Sequence, residues 1–374
     1  MIEKIKLDNF KIFKNQDFDL APLTLITGIN SMGKSSIIQA LLLLKQSYEI
    51  AYLQTQNKVD LSNDYINLET AEDVCFAFAE DDNKKIGITL SLNTGEIHKW
   101  DIDASKPKDK ILDCKYSGNN NLSTLSLFSK NFIYLEAERW GPRETYNKKE
   151  KRSYNTKLGI QGELTPAYLA NAIATNEQIG INELQNPNLI ESGTIGLYEN
   201  INAWMSDIMN IPLKTQIKEI DESKVKLNFN IAGARGRSYS ALQVGFGLTF
   251  CLPIVLAILS SQKGDLLIIE NPEAHLHPTA QVKIGLLLAL AAKNGVQIII
   301  ESHSDHILNS IRYSYKEGIL NENLLKIIFI RGIKANENTN YSIPDYVTLN
   351  EKGKLSHRPT DFFDVWDKML TNLL

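Results

Sequence analysis

The hydrophobic pattern of the chain alternates between two periods, and it predicts a mixed α/β fold. Short apolar or alternating stretches, which are typical of β-strands, occupy residues 2–7, 18–20, 23–27, 75–79, 85–92, 96–102, 131–135, 225–231, 265–270, 296–301 and 325–330. Longer apolar stretches predict helices from residue 35, at 166–174 and 195–208, from about residue 248, at 279–293 and from residue 305. In the last third of the chain, strands and helices take turns, which favours a mostly parallel core sheet covered by helices.

Local composition divides the 374-residue chain into three predicted segments. Residues 1–144 are predicted to form an amino-terminal lobe with an antiparallel β region, whose first two strands are joined by a turn at 11–15. Residues 145–215 are rich in Lys, Asn, Glu and Gln and lack strand patterns, so we interpret them as a helical insertion. Residues 216–374 form a carboxyl-terminal lobe. The length suits one large α/β domain with an insertion, or two to three domains.

A phosphate-binding loop is predicted at Gly28–Ser35, where GINSMGKS matches G-x-x-x-x-G-K-[ST] at every required position. The segment follows an apolar strand and opens an apolar helix, which is the context this loop requires. Its glycines let backbone N–H groups point at phosphate oxygens above the positive end of the helix. We expect Lys34 to reach the β- and γ-phosphates and the Ser35 hydroxyl to bind Mg²⁺. The predicted nucleotide contacts of this loop are Asn30, Ser31, Gly33, Lys34, Ser35 and Ser36.

A second apolar strand ends in a carboxylate, Glu270, followed by Asn-Pro-Glu. A P-loop enzyme needs such a carboxylate at the magnesium, directly or through water, so Glu270 and Ser35 are the predicted metal-binding residues. Two histidines, His275 and His277, follow Glu273. They indicate either a metal site or a loop that orders a dimer face or caps the next helix, and we favour the loop.

A third apolar strand leads into the polar run Glu-Ser-His-Ser-Asp-His, in which His303 lies just beyond the strand. A histidine in this place can hydrogen-bond the γ-phosphate or the attacking water. We therefore expect His303 to act as a sensor or a catalyst, and the alternative is a structural histidine.

Together these motifs resemble the ABC-type ATPase superfamily, and more narrowly the stand-alone ATPases related to the OLD family and to SMC-type heads. Leu7–Phe13 resembles the amino-terminal motif of such heads, ENPEAHLHP at 270–278 resembles an extended Walker B motif, and Ser302–His303 fits the switch histidine. LEAERWGP at 135–142 and the ending at 359–374 resemble markers of the subgroup. The resemblance implies an ABC-ATPase-like P-loop head that binds ATP and Mg²⁺.

The resemblance also implies a signature motif, a glycine-rich helix start that binds the γ-phosphate of the opposing subunit. The sequence contains no LSGGQ, but SALQVGFG at 240–247 stands at the expected distance before Glu270. Gly245 and Gly247 are therefore the candidates for this contact, and a simple turn before a core helix is the alternative. In this interpretation two chains form a homodimer that encloses two ATP molecules.

One position departs from the pattern of transporter-type relatives, which place a catalytic glutamate directly after the Walker B acid. Asn271 stands there in this chain, and an amide cannot take a proton from water as a carboxylate can. Either Glu273 or His303 then supplies the base, or hydrolysis is slow and the protein is mainly an ATP-gated switch. Glu138 and Arg139 are the candidates for the Q-loop role.

The OLD-like resemblance implies the ATPase component of a bacterial anti-phage system that regulates a partner effector, a nuclease or a toxin-like protein. No acidic D-x-D cluster follows His303, so we assign any nuclease activity to the partner. The alternative is an SMC-head-like repair or maintenance ATPase that binds DNA directly. A transporter subunit is disfavoured, because it needs a membrane partner and a recognisable LSGGQ.

Composition narrows these choices. A formal net charge of -4 creates no global positive field and counts against a direct DNA clamp. The three cysteines show neither metal-ligand spacing nor a disulfide framework, which fits a reducing compartment. The most apolar stretch, 248–259, contains a proline and is shorter than the roughly 20 residues that span a bilayer. We therefore predict a soluble cytoplasmic protein with no membrane partner.

Overall fold

The computed structural model describes residues 1–79, 84–119, 121–149, 156–231, 237–336, 339–360 and 362. Within them the strands are β1 (Ile2–Phe10), β2 (Phe13–Asp19), β3 (Leu23–Gly28), β4 (Lys58–Asp60), β5 (Lys85–Leu92), β6 (Ile97–Asp103), β7 (Ile111–Ser117), β8 (Ile133–Leu135), β9 (Tyr146–Asn147), β10 (Leu213–Glu219), β11 (Lys224–Ile231), β12 (Ser238–Ser240), β13 (Leu266–Glu270), β14 (Gln297–Glu301), β15 (Leu325–Asn336) and β16 (Thr339–Tyr346). The α-helices are α1 (Lys34–Glu49), α2 (Tyr52–Thr55), α3 (Ala71–Val74), α4 (Thr165–Thr175), α5 (Leu197–Met209), α6 (Phe246–Leu259), α7 (Pro278–Lys293) and α8 (Asp305–Lys316). Most of the predicted marker at 359–374 lies outside the described residues.

The central sheet has the strand order β16-β15-β3-β14-β13-β8, and its neighbouring strands are parallel except for the β15–β16 hairpin. β3, β14 and β13 end level with one another, because Glu301 pairs with Ile26 on one side and with Glu270 on the other. The carboxyl ends of parallel strands meet at one edge of the sheet, where ligands of open α/β folds bind. This edge therefore brings the loop after Gly28 beside Glu301 and Glu270.

Helix α1 lies between two sheets. An antiparallel sheet with the order β2-β1-β5-β6-β7-β4 covers it from one side, and the central sheet supports it from the other. Ile37 and Leu41 of α1 share one buried cluster with Ile5 and Trp100 of the antiparallel sheet and with Ile268 of β13. Burial on both sides explains why the helix that begins at the phosphate-binding loop is apolar around most of its circumference.

On the opposite face of the central sheet, helices α4 to α8 contribute to a second buried cluster. Helix α6 is buried along its whole length from Leu248 to Leu259, in agreement with its uniformly apolar sequence. A small sheet of β10, β11 and β12, with β9 also paired to β11, packs beside α4 and α5. The mixed α/β fold, the mostly parallel core sheet and the amino-terminal antiparallel β region are thus confirmed.

Two local predictions in the amino-terminal lobe are wrong. Residues 75–79 do not form a strand, since they follow α3 and contribute one isolated bridge to β1. The first hairpin turns over 11–12 rather than 11–15, because Phe10 pairs with Phe13. Strands β4, β7, β9, β10, β12 and β16 are additional to those predicted. β9 lies inside the segment 145–215 and β10 begins there, so this segment is not free of strands, although its middle holds α4 and α5. The segment boundaries stay a prediction.

In the described part of the chain, no helix combines the length and the apolar character that crossing a membrane requires.

Candidate nucleotide-binding site

The loop between β3 and α1 has a backbone that only glycine allows at two positions. Gly28 has φ of 142°, and a Cβ atom there would lie 2.4 Å from the Ile330 carbonyl oxygen. Gly33 has φ of 96°, and its Cβ would lie 2.5 Å from Cγ2 of Ile12. A side chain at either position would therefore meet both backbone strain and a steric clash. The glycines hold the loop tightly against β15 and the first hairpin.

Helix α1 begins without a capping side chain and has no acidic residue in its first turn. Neither a capping side chain nor a carboxylate therefore competes with an anion for the helix start and the positive end of its dipole. Asn30 and Ser31 are exposed, Gly33 and Ser35 are partly exposed, and Ser36 is buried, with its N–H donating to the Gly33 carbonyl. The loop has the form of a cradle for phosphate groups.

Lys34 is buried and turns back into the loop. Its Nζ donates to the Ile29 carbonyl oxygen at 3.0 Å and lies 4.0 Å from Oε1 of Glu301. Desolvation lowers the pKa of Lys34, and Glu301 acts in the opposite direction. A buried cation in a loop of free N–H groups fits an anionic ligand such as a phosphate group.

Ser35 and Glu301 form a direct contact that the sequence did not predict. The Ser35 hydroxyl donates to Oε2 of Glu301 at 2.9 Å. Glu301 carried a signal of the same kind as Glu270, since both are acids that end an apolar strand. Glu301 was not among the predicted site residues, because the strand that it ends was interpreted only as the support of His303.

Glu270 lies at the end of β13, where Tyr134 of β8 donates its hydroxyl to Oε1 at 3.1 Å. Desolvation and the charge of Glu301 raise the pKa of Glu270 to about 7. Tyr134 is a second residue that the sequence analysis missed, because nothing in its local sequence distinguishes it from a core aromatic residue.

The donor set at this edge fits magnesium. Carboxylate and hydroxyl oxygens are hard ligands, and Ser35, Glu270 and Glu301 supply them from neighbouring elements. The described residues contain no group of three or more His, Cys, Asp or Glu side chains that could hold a metal. Mg²⁺ in nucleotide sites is held by one or two carboxylates together with substrate phosphates, so a closed protein cage is not required.

Glu273 fixes the segment that contains His303. Its Oε2 accepts from the Ser302 hydroxyl and its Oε1 accepts from the His303 N–H, both at 2.8 Å. Desolvation and the charge of Lys34 lower the pKa of His303. The imidazole is therefore neutral at pH 7 and can accept a proton or a hydrogen bond.

Asn271 has φ of 44°, and its N–H donates to the Glu301 carbonyl oxygen at 2.8 Å. Arg139 holds the same turn from the other side. Its guanidinium donates to the carbonyl oxygens of Glu270 and Asn271 at 2.6 Å each and of Glu136 at 3.0 Å. Burial lowers the pKa of Arg139 to about 10, so the group remains a cation at neutral pH.

Of the two Q-loop candidates, Arg139 is buried against this turn and Glu138 is exposed. The Arg139 guanidinium also lies 5.7 Å from the ring centre of Phe250 on α6. Arg139 therefore connects the end of β13 to the helix that follows the signature-like segment.

The signature-like glycines lie at the start of α6. Gly245 is its N-cap residue, and an added Cβ there would have no atom within 4 Å. Gly247 lies against the loop after Glu273, since its Cβ would be 3.0 Å from the His275 carbonyl oxygen. The nearest neighbours of Gly247 thus belong to that loop, and the structure does not bring the two glycines to the phosphate-binding loop of the same chain.

The two histidines of that loop have structural contacts. Nδ1 of His277 accepts from the Thr279 N–H at 3.3 Å and caps α7, as the favoured alternative predicted. The His275 ring packs against Phe250, with ring centres 4.4 Å apart, and against Phe246 at 5.5 Å. The described residues offer no metal site at these histidines.

We expect Glu270→Gln to stabilise the nucleotide-free protein at pH 8. The pKa of Glu270 rises from 4.5 to about 7 on folding, so the folded protein binds this proton more tightly than the unfolded chain. Stability therefore falls as pH rises through this window and stays low above it. The full penalty is about 3 kcal/mol, and glutamine removes it.

Urea unfolding at pH 5 and pH 8 checks this expectation. The gain of the Gln variant should be small at pH 5 and large at pH 8. Equal unfolding midpoints for the variant and the parent protein at pH 8 would contradict the assignment of a proton-binding Glu270.

The chain is similar to one protein family and to several solved structures. The model of a family described as "AAA domain, putative AbiEii toxin, Type IV TA system" matches residues 23–309. No curated protein is a significant match. An SMC head bound to the C-winged helix domain of ScpA is 13% identical, with 92% of this chain and 98% of that chain covered and a TM-score of 0.56.

A second solved structure is an SMC head domain with an extended coiled coil, bound to the C-terminal domain of ScpA and derived from Pyrococcus furiosus. It is 12% identical, with 100% of this chain and 99% of that chain covered and a TM-score of 0.52. At such identities the likeness shows the fold alone, which is that of an SMC head.

Proposed function

Because this chain belongs to the AAA domain family whose description names the AbiEii toxin and the Type IV TA system, we propose that it binds and hydrolyses ATP with Mg²⁺. The observation that carries this proposal is the meeting of Lys34, Ser35 and Glu301, with Glu270 at the next strand end. Mg²⁺, when bound, supplies charge neutralisation at the phosphate oxygens during phosphoryl transfer.

In the proposed complex the phosphates lie along the start of α1, in contact with Asn30, Ser31, Gly33, Lys34, Ser35 and Ser36. Lys34 exchanges its bond to the Ile29 carbonyl oxygen for charge-assisted bonds to phosphate oxygens, which are about twice as strong as neutral ones. Ser35 and Glu270 bind the metal ion.

The segment around His303 must accept the proton of the attacking water, because Asn271 provides no basic group. We assign contact with the γ-phosphate or the attacking water to the neutral imidazole of His303. Glu273 has both carboxylate oxygens engaged with this segment, so we assign it the task of positioning His303, with proton acceptance as its alternative role.

We expect Glu273→Gln to lower turnover at least tenfold and to leave ATP affinity nearly unchanged. Glutamine replaces one of the two accepting oxygens by an NH₂ donor, so it loses an acceptor for either the Ser302 hydroxyl or the His303 N–H. The ATP-closed dimer should then persist longer. Single-turnover hydrolysis and nucleotide titration measure the two effects, with the exposed Glu222→Gln as control. Unchanged turnover would transfer the catalytic role to His303 alone.

ATP is proposed to close two copies into a homodimer, in which Gly245 and Gly247 of one copy contact the γ-phosphate bound by its partner. Support comes from the placement of these glycines at the start of α6, away from the phosphate-binding loop of their own chain. A helix start offers N–H groups to an anion, and the described contacts of Gly245 leave its surface open.

The experiment that tests this dimer uses Gly245→Asp with Gly245→Asn as the matched control. Gly245 has an ordinary φ of -64° and room for a side chain, and Asp and Asn are both favoured N-cap residues, so both variants should fold. The carboxylate should repel the partner's nucleotide, whereas the amide should not. Light scattering with a non-hydrolysable ATP analogue should show a monomer for Asp and a dimer for Asn. An Asp variant that dimerises like the parent protein would remove the signature assignment.

The dimer is proposed to regulate an effector, a nuclease or a toxin-like protein, in anti-phage defence. The description of the matching family names a putative toxin and a Type IV TA system, which supports a toxin-system context for this proposal. The alternative is a DNA-binding repair or maintenance ATPase, which the SMC-head fold favours and the net charge of -4 disfavours. ATP hydrolysis measured with and without duplex DNA separates them, since salt-sensitive stimulation by DNA is expected only of the alternative.

A further inference from the structure

Glu301 contacts both phosphate-loop side chains that are expected to meet the nucleotide and its metal. It accepts from the Ser35 hydroxyl at 2.9 Å with one oxygen, and its other oxygen lies 4.0 Å from Nζ of Lys34. The side chain is buried. Both neighbouring strands pair with Glu301, so its carboxylate is held in place by the sheet rather than by a mobile loop.

At pH 8, above the pKa of about 7 of Glu270, the site carries an excess of negative charge where phosphates are expected. Glu270 and Glu301 end adjacent strands in register, and Lys34 supplies one positive charge between the sheet and the loop. Charges in a partly buried site interact much more strongly than in water. An incoming triphosphate therefore meets repulsion from these carboxylates unless a cation enters with it.

We propose that Glu301 is a second acidic residue of the magnesium site and that it makes nucleotide binding depend on the metal. The inference rests on the proposed binding of ATP. In the nucleotide-free protein, Glu301 holds Lys34 and Ser35 by the contacts described. When Mg²⁺ and ATP are present, Ser35 and Glu301 turn to the metal, directly or through water, and Lys34 is released to the phosphates.

In the nucleotide-free protein the charge of Glu301 pairs with Lys34 at 4.0 Å, and this partner is lost when Lys34 turns to the phosphates. The bond to Ser35 requires only an acceptor oxygen, which a glutamine side chain also supplies. A charged acceptor beside Glu270 costs free energy in the metal-free protein, because like charges repel at short range. Oxygen donors with negative charge are the ligands that Mg²⁺ prefers, so Mg²⁺ is the cation that can replace Lys34 beside Glu301 once nucleotide binds.

The test measures the affinity of a fluorescent ATP analogue in EDTA and in Mg²⁺, for the parent protein, Glu301→Gln and Glu301→Asp. We expect Glu301→Gln to bind the analogue in EDTA about tenfold more tightly than the parent, which corresponds to about 1.4 kcal/mol, because the repulsion between this carboxylate and the phosphates is removed. Its gain in affinity from Mg²⁺ should be about tenfold smaller. Glu301→Asp keeps the charge but retracts the carboxylate, so it should bind as weakly as the parent in EDTA and lose the Mg²⁺ gain.

The matched control is Glu49→Gln, which removes a carboxylate beside Lys45, another buried lysine of the same helix. It should leave both affinities unchanged. A purely structural Glu301 predicts that Gln weakens binding equally in EDTA and in Mg²⁺, and that result, or an unchanged Mg²⁺ gain, overturns the inference. If the parent protein binds no nucleotide in either buffer, the proposed function itself fails, which is a distinct outcome.

Discussion

Lys34→Met is expected to abolish ATP binding, with a loss of affinity of at least about a hundredfold. Hydrogen bonds to charged groups contribute about 1.5–3 kcal/mol each, and Lys34 is expected to make two, to the β- and γ-phosphates. Its buried position makes the loss severe, because no other described lysine or arginine side chain contacts the loop carbonyl or Glu301 in its place. Isothermal titration with ATP and Mg²⁺ measures the effect.

Lys45→Met is the matched control for this experiment. Lys45 lies on the same helix, is equally buried, and pairs with Glu49 at 3.0 Å. Its Nζ also donates to the Ser129 carbonyl oxygen at 3.1 Å, so its loss should lower the melting temperature and leave ATP affinity intact. If Lys34→Met retained its affinity for ATP, the assignment of Gly28–Ser35 as the phosphate-binding loop would be wrong.

Arg139→Met is expected to destabilise the protein by about 3–5 kcal/mol, the cost of breaking a buried charged network. The guanidinium donates to three backbone carbonyls around the end of β13, two of them at 2.6 Å. Without it, the carbonyls of Glu270 and Asn271 lose a charged donor and the turn that carries Glu273 loses its support. Hydrolysis should therefore fall together with stability.

Arg139→Lys should rescue little of this loss, because an ammonium cannot reproduce the planar fork that reaches several acceptors at once. Arg143→Met is the matched control, since Arg143 is exposed and lies over the Trp140 ring at 5.2 Å. Chemical unfolding of the three variants measures the difference. If Arg139→Met unfolds at the same denaturant concentration as Arg143→Met, the proposed support of this turn is wrong.

Features that depend on near neighbours in the chain could be predicted well. The loop that begins at Gly28 requires glycine for its own backbone, and His277 caps a helix that starts at the next residue. The strand predicted at 75–79 failed for a local reason as well. A capping box between Thr70 and Asp73 starts a helical turn just before this segment. The alternation of apolar residues, on which the strand prediction was based, contains no information about such a capping box.

Residues that meet across the sheet could not be predicted in the same way. Ser35 and Glu301 are 266 positions apart in the chain, and Arg139 is 131 positions from Glu270. Their contacts exist because β14 lies between β3 and β13 and because β8 lies beside β13. Hydrophobic periodicity predicts that each strand forms, but it carries no information on which strand ends become neighbours.

The amino-acid sequence was sufficient for most helices and core strands, for the glycine-dependent backbone of the loop at 28–35 and for the acidic strand end at Glu270, because these follow from short-range spacing and backbone requirements. The partnership of Glu301 with the loop and the support of Asn271 by Arg139 follow instead from the parallel strand order. That order is set by the packing of α1 between two sheets and of α6 against the opposite face. Long-range burial, which no local pattern encodes, therefore completes the site.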